Sequence, residues 1–76
     1  MSVLRTLRDA SFGRPVKVIA VHGDGPVRRR IMDMGITRGC IVTVNRSAPL
    51  GDPLEITVRG YELTIRKEDA ELIGIE

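Results

Sequence analysis

The chain has 76 residues, 42% of them apolar and 29% charged, with a formal net charge of +2. A chain this short makes one domain, residues 1–76, and buries only roughly 60% of its unfolded surface, so the core is small. No apolar run reaches the length of a membrane span, and residues 1–8 lack the continuous apolar segment and small-residue cleavage site of a secretory signal. With one Phe, one Tyr and no Trp the core must be aliphatic. The single cysteine, Cys40, excludes an internal disulfide and fits a reducing, cytoplasmic setting. Charge is unevenly spread: residues 1–30 hold seven Arg/Lys against two acids, and residues 61–76 hold two against five. That asymmetry predicts a basic and an acidic side, and is too weak by itself to imply nucleic acid.

Residues 1–13 read as an arm anchored by Leu4, Leu7 and Phe12. Pro15 then opens Val16-Lys17-Val18-Ile19-Ala20-Val21, a β-branched run expected to be a strand buried on most of both faces. His22-Gly23-Asp24-Gly25-Pro26 is a turn into a helix, with Asp24 or Gly25 as N-cap and Pro26 suited to the first helical position. Val27, Ile31 and Met34 form one apolar stripe, which predicts a short helix at about 26–34. Arg29 and Asp33 are spaced to pair at i, i+4. Gly35 stands where a left-handed residue ends a helix, with Ile36 placed to touch Ile31.

Thr37-Arg38-Gly39 is a second turn, and Cys40 to Asn45 a second strand. Ala48-Pro49-Leu50-Gly51-Asp52-Pro53 packs two prolines and a glycine into six residues, turn chemistry dense enough to define one loop shape. Leu54, Ile56 and Val58 then alternate with Glu55, Thr57 and Arg59, and Tyr61, Leu63 and Ile65 with Glu62, Thr64 and Arg66. A tight turn at Arg59-Gly60 pairs Val58 with Tyr61, Ile56 with Leu63 and Leu54 with Ile65, all on one face. A one-residue slip would mix the faces, so the register is strongly specified. A primed turn requires Arg59 at positive φ, the weak point of the assignment. Residues 67–73 read as a helical turn with Ala70 and Ile73 inward, and Gly74-Ile75-Glu76 as an added last strand. The total is four or five short strands with one helix inserted after the first; short antiparallel strands of this kind would make a small barrel if they closed on themselves, which the pattern by itself does not establish.

Chemistry-bearing residues are sparse. His22 and Cys40 are the only imidazole and thiol ligands, with no paired spacing for a structural zinc. Cys40 reads as a small buried hydrophobe and His22 as a solvated loop residue. No nucleophile–base–acid arrangement is legible, so no catalytic residue, metal ligand or cofactor is assigned. Arg28-Arg29-Arg30 is the sharpest charge cluster, but on a helix its side chains fan through most of a circle and cannot serve one phosphate track. Stacking platforms for single strands are missing too, since only Phe12 and Tyr61 are aromatic. Met32 lies outside the apolar stripe; it either packs on a neighbouring strand or, exposed beside Leu50, joins a contact patch.

Three linked motifs carry a resemblance. Arg29-Arg30-Ile31-Met32-Asp33-Met34-Gly35-Ile36-Thr37-Arg38-Gly39 is similar to the helix-and-turn signature of the FeoA family, the small cytosolic component of bacterial ferrous iron transport. Ala48-Pro49-Leu50-Gly51-Asp52-Pro53 resembles that family's most typical loop. Arg59-Gly60-Tyr61-Glu62-Leu63-Thr64-Ile65-Arg66-Lys67-Glu68-Asp69-Ala70 resembles its closing hairpin and helical turn. The chain departs from the pattern at Phe12-Gly13, where Pro-Gly is frequent, at Arg38, where proline is common, and at Cys40.

The resemblance implies a mainly β fold, a small SH3-like barrel with one short inserted helix, related to the C-terminal domain of DtxR-type repressors. With no DNA-binding helical domain ahead of the barrel, a stand-alone repressor is not expected. It implies a non-enzymatic, cytoplasmic accessory role beside the FeoB-type transporter, with the membrane reached only through that partner. The expected partner-binding residues are Leu50 as apolar contact, Gly51 as shape-setter and Asp52 as polar or loop-fixing group, with Met32, Arg28 and Arg29 as neighbours. A bond from Asp52 to the loop's own backbone is the plainer expectation for that side chain. Two other classes compete: an RNA- or ribosome-associated module using the basic helix, and a direct transition-metal sensor. An exposed apolar loop suits homo-oligomers equally.

Overall fold

A computed structural model describes residues 5–76; Leu4, expected to anchor the arm, lies outside them. Six strands form one antiparallel sheet: β1 (Arg5–Thr6), β2 (Pro15–Val21), β3 (Ile41–Ser47), β4 (Leu54–Val58), β5 (Tyr61–Ile65) and β6 (Ile73–Ile75). Their spatial order is β1-β6-β2-β3-β4-β5. Helix α1 (Gly25–Asp33) joins β2 to β3, and helix α2 (Lys67–Ala70) joins β5 to β6.

The sheet turns a corner within β2. Residues Pro15 to Lys17 pair with β3, whereas Val18, Ala20 and Val21 pair with β6 across a bulge between Val18 and Ala20. A second bulge lies in β3 between Val44 and Arg46. Bulges bend and twist a strand, and two of them wrap the sheet around one aliphatic interior. That interior holds Val16 and Val18 of β2, Ile31 of α1, Ile36, Val42 and Val44 of β3, Leu54, Ile56 and Val58 of β4, and Ile73 and Ile75 of β6.

Most expected elements are present. The hairpin has the register read from its alternation: Val58 faces Tyr61, Ile56 faces Leu63 and Leu54 faces Ile65. Its turn takes φ 51° at Arg59 and 85° at Gly60, the two positive values a type I′ turn needs. The Arg59 side chain offsets part of that strain. Its Nε donates to the Gly35 carbonyl at 3.2 Å and a terminal nitrogen donates to Thr37 Oγ1 at 3.2 Å. The guanidinium thereby staples the hairpin turn to the exit of α1. Helix α1 starts one residue earlier than expected, with Asp24 as N-cap in extended backbone and Pro26 in the second position. It ends at Gly35 with φ 92°, whose N–H donates to the Met32 carbonyl at 2.9 Å, one of the two bonds of a Schellman ending.

Several expectations are corrected. The described residues form six strands, not four or five, because two-residue β1 pairs with Ile75 and Gly74 of β6 and carries no period of its own. Ile73 begins β6 and does not belong to a helical turn. β2 is buried on one face only: Val16 and Val18 point inward while Lys17 and Ile19 are exposed, because no second layer among the described residues covers the sheet's outer side there. Phe12 is not an anchor, being 59% exposed; Leu7 docks the arm as expected, and Ala10 takes the place expected for Phe12. Tyr61 shares the inward side but is 71% exposed, since the strand's first residue projects beyond the rim of the small core. Arg29 and Asp33 form no ion pair among the described residues.

Candidate functional site

The loop between β3 and β4 is fixed by three bonds. Gly51 N–H donates to the Ala48 carbonyl at 2.7 Å, and Ala48 N–H donates to the Pro53 carbonyl at 2.9 Å. The third runs outward: Asp52 Oδ1 accepts the Lys67 N–H at 3.0 Å. Lys67 is the first residue of α2, and its N–H is one of the donors a helix start leaves without an intrahelical partner. Asp52 therefore caps α2 from a distant loop, and the bond expected to the loop's own backbone is absent among the described residues. The Asp52–Pro53 peptide is cis.

Gly51 has φ 89°, and a Cβ there would lie 3.1 Å from Lys67 Nζ. Glycine thus supplies the left-handed backbone and room for the Lys67 ammonium to fold across the loop. Held in this frame, Leu50 is 97% exposed at the tip. We expect Asp52→Ala to cost about 0.5–2 kcal/mol, the usual range for a lost helix cap, and to speed hydrogen exchange at the Lys67 amide; Asp52→Asn, which keeps an acceptor, should lose less. Thermal unfolding and amide exchange check both.

Beside the loop runs a groove of about 550 Å³ between α1 and β5, lined by Arg30 and Met34 on one wall and Asp52, Pro53, Thr64 and Arg66 among the residues opposite. One guanidinium nitrogen of Arg30 donates to both Asp69 carboxylate oxygens, at 3.0 and 3.1 Å, which ties α1 to α2. The three arginines of α1 therefore separate. Arg28 Nε donates to the Val21 carbonyl at 3.2 Å, Arg30 is engaged by Asp69, and Arg29 lines a shallow hollow with Pro26 and Met34.

Of the expected contact residues, the groove includes Asp52 and the hollow includes Arg29, while Leu50, Gly51, Arg28 and Met32 line neither. Met32 is half-buried. Arg30 and Met34 join groove to hollow, and the sequence pattern does not mark them as contacts: it shows Arg30 in the charged fan of α1 and Met34 in the apolar stripe. Cys40 is buried and His22 exposed. No group of three or more His, Cys, Asp or Glu side chains among the described residues is placed to hold a metal ion. No helix among them is long and apolar enough to cross a membrane.

A mainly β chain of this topology, with one helix inserted after β2 and a rigid loop presented at the rim, is an SH3-like domain. The FeoA domain description matches residues 5–76, and the chain belongs to the FeoA family, which is associated with ferrous iron transport. It is 36% identical over 70 residues to the Fe(2+) transport protein A/Fe(2+) transporter FeoB fusion protein of Porphyromonas gingivalis, covering 92% of this chain but only 8% of that relative. The solved FeoA-like protein from Clostridium acetobutylicum is 41% identical, with a TM-score of 0.89 over 100% of this chain and 88% of the other. At 22% identity the FeoA of Stenotrophomonas maltophilia, a procaryotic SH3 domain protein, shares the fold, with a TM-score of 0.82 over 95% of this chain and 89% of the other. So does the manganese regulator SloR, at 15% identity and a TM-score of 0.79, over 93% of this chain and 33% of the regulator. The expected kinship with metal-dependent regulators thus holds at the level of the fold.

Proposed function

We propose that this chain is a non-catalytic accessory domain of ferrous iron uptake, docking on the cytosolic region of a FeoB-type transporter through the loop at 48–53. The observation that supports this most strongly is Leu50, a large apolar side chain 97% exposed on a loop held by bonds to its own backbone and to α2. Covering such a side chain contributes about 1.5–3 kcal/mol, and a loop already fixed avoids the ordering entropy that a mobile one would lose on binding. Asp52 and Gly51 set the loop's shape, while Arg29 and Met32 of α1 act as flanking contacts. Arg28 contributes least, because its guanidinium already holds the Val21 carbonyl. The existence of a relative in which the two proteins are fused fits a partnership that benefits from high local concentration.

The test is an NMR titration of the labelled chain with the transporter's cytosolic region and, separately, with the detergent-solubilised transporter. Amide shifts concentrated in residues 48–53 and in α1 are the expected result. Absence of shifts with both partners would overturn direct contact.

A further inference from the structure

Among the described residues, strand β5 is paired on one side only. In a two-residue hairpin the residues flanking the turn exchange both main-chain bonds, and every second residue does so after that. With Val58 opposite Tyr61, the main chains of Tyr61, Leu63 and Ile65 therefore face β4. Those of Glu62 and Thr64 point away from the sheet, and among the described residues no backbone bond outside the ladders engages either of them. The far end of this edge opens on the α1–β5 groove, which Thr64 and Ile65 line together with Met34, Arg66 and, at the loop's end, Asp52; Glu62 and Leu63 line an adjoining hollow with Glu55 and Thr64. A sheet edge facing a helix across a groove has the geometry in which an extended peptide adds as one more strand.

The side chains indicate what such a strand would carry. On the inward side, Leu63 is half-buried and Tyr61 exposed, so apolar side chains would meet apolar neighbours there. On the outward side, Glu55 is paired with Arg46 at 3.0 Å, whereas Glu62 has no ion-pair partner among the described residues. Opposite charges directly across a strand pair are favourable and like charges are not. Pairing β5 with β5 of a second copy would set Glu62 against Thr64 and leave two uncompensated carboxylates on one face.

Resting on the reading that this chain docks on the transporter, we infer that the partner's contacting element is an extended segment that adds to the β5 edge. Its residues alternate between apolar, facing Leu63 and Tyr61, and basic, facing Glu62. The loop knob and the strand edge then form one continuous interface, since Asp52 and Pro53 border the same groove.

Hydrogen exchange of the labelled chain with the transporter's cytosolic region, read residue by residue, separates the claims. Strand addition protects the amides of Glu62 and Thr64, which exchange fast in the free chain, together with shifts in residues 48–53. Shifts at 48–53 while both amides stay fast would overturn strand addition and leave loop docking standing; no shifts at all would overturn both. Protection in the free chain that grows with its concentration would assign the edge to a second copy and also overturn the proposal. Thr64→Pro supplies an independent arm, because proline is tolerated where an edge N–H faces solvent. It should weaken binding by about tenfold with Thr64→Val near the natural affinity; unchanged binding by a folded Thr64→Pro chain would overturn the proposal. If that variant does not fold, the exchange measurement decides alone.

Discussion

Ile31→Ala is expected to lower the unfolding free energy by about 3 kcal/mol, near the middle of the range for truncating a buried aliphatic residue. A domain of this size has only about 4–11 kcal/mol in total, so the loss is a large fraction, equivalent to roughly 12–24 °C in Tm. Ile31 is the one fully buried residue of α1; Val27 and Met34 pack only partly against the core. A nine-residue helix has marginal stability of its own, so this side chain carries most of the docking of α1 onto the sheet. The variant should also loosen the Arg30–Asp69 link and the Arg59 staple to Gly35, both of which depend on where α1 sits. Urea unfolding with amide exchange across α1 checks the prediction; a change below about 0.5 kcal/mol, the size of an ordinary surface substitution, would contradict it.

Leu50→Asp should do the reverse. Because Leu50 is almost fully exposed and in no described contact with the core, its replacement should leave stability within about 0.5 kcal/mol. Affinity for the transporter's cytosolic region should fall roughly tenfold to a hundredfold, from the lost apolar burial and from the charge placed against an apolar surface. Titration calorimetry measures the loss, and an unfolding curve that overlays the natural one shows that it is not a folding defect. Retention of full affinity would remove Leu50 from the interface.

Local pattern made much of this molecule legible. Strict alternation through Leu54–Val58 and Tyr61–Ile65 determined the hairpin register, because only one pairing places Leu54, Ile56, Val58, Leu63 and Ile65 on one face. Pro26 and Gly35 bracketed α1 by start and stop chemistry. What stayed hidden depends on how separate elements meet. Which of three consecutive arginines finds an acid was decided by Asp69, 39 residues away from Arg30. The partner of Asp52 was a backbone N–H 15 residues ahead, so a residue read as a turn former proved to be a remote cap. Two-residue β1 offered no period to read. The α1–β5 groove exists only once the hairpin and helix are set side by side, and for that reason the sequence shows Arg30 and Met34 only as part of a charged fan and a core stripe.

The placement of β6 between β1 and β2 has a consequence for how the chain is made. Arg5 pairs with Ile75, and the second half of β2 pairs with residues 73–75. During synthesis the hairpin of β4 and β5 is complete as soon as it emerges, whereas β1 and the far half of β2 must wait for almost the whole domain to leave the ribosome. Contacts this distant in sequence are slow to form. The nascent chain therefore exposes Val18 and Val21 until residues 73–75 arrive, and a nascent chain stalled before residue 73 should be held open, protease-sensitive along β2, with β6 as the piece that locks it.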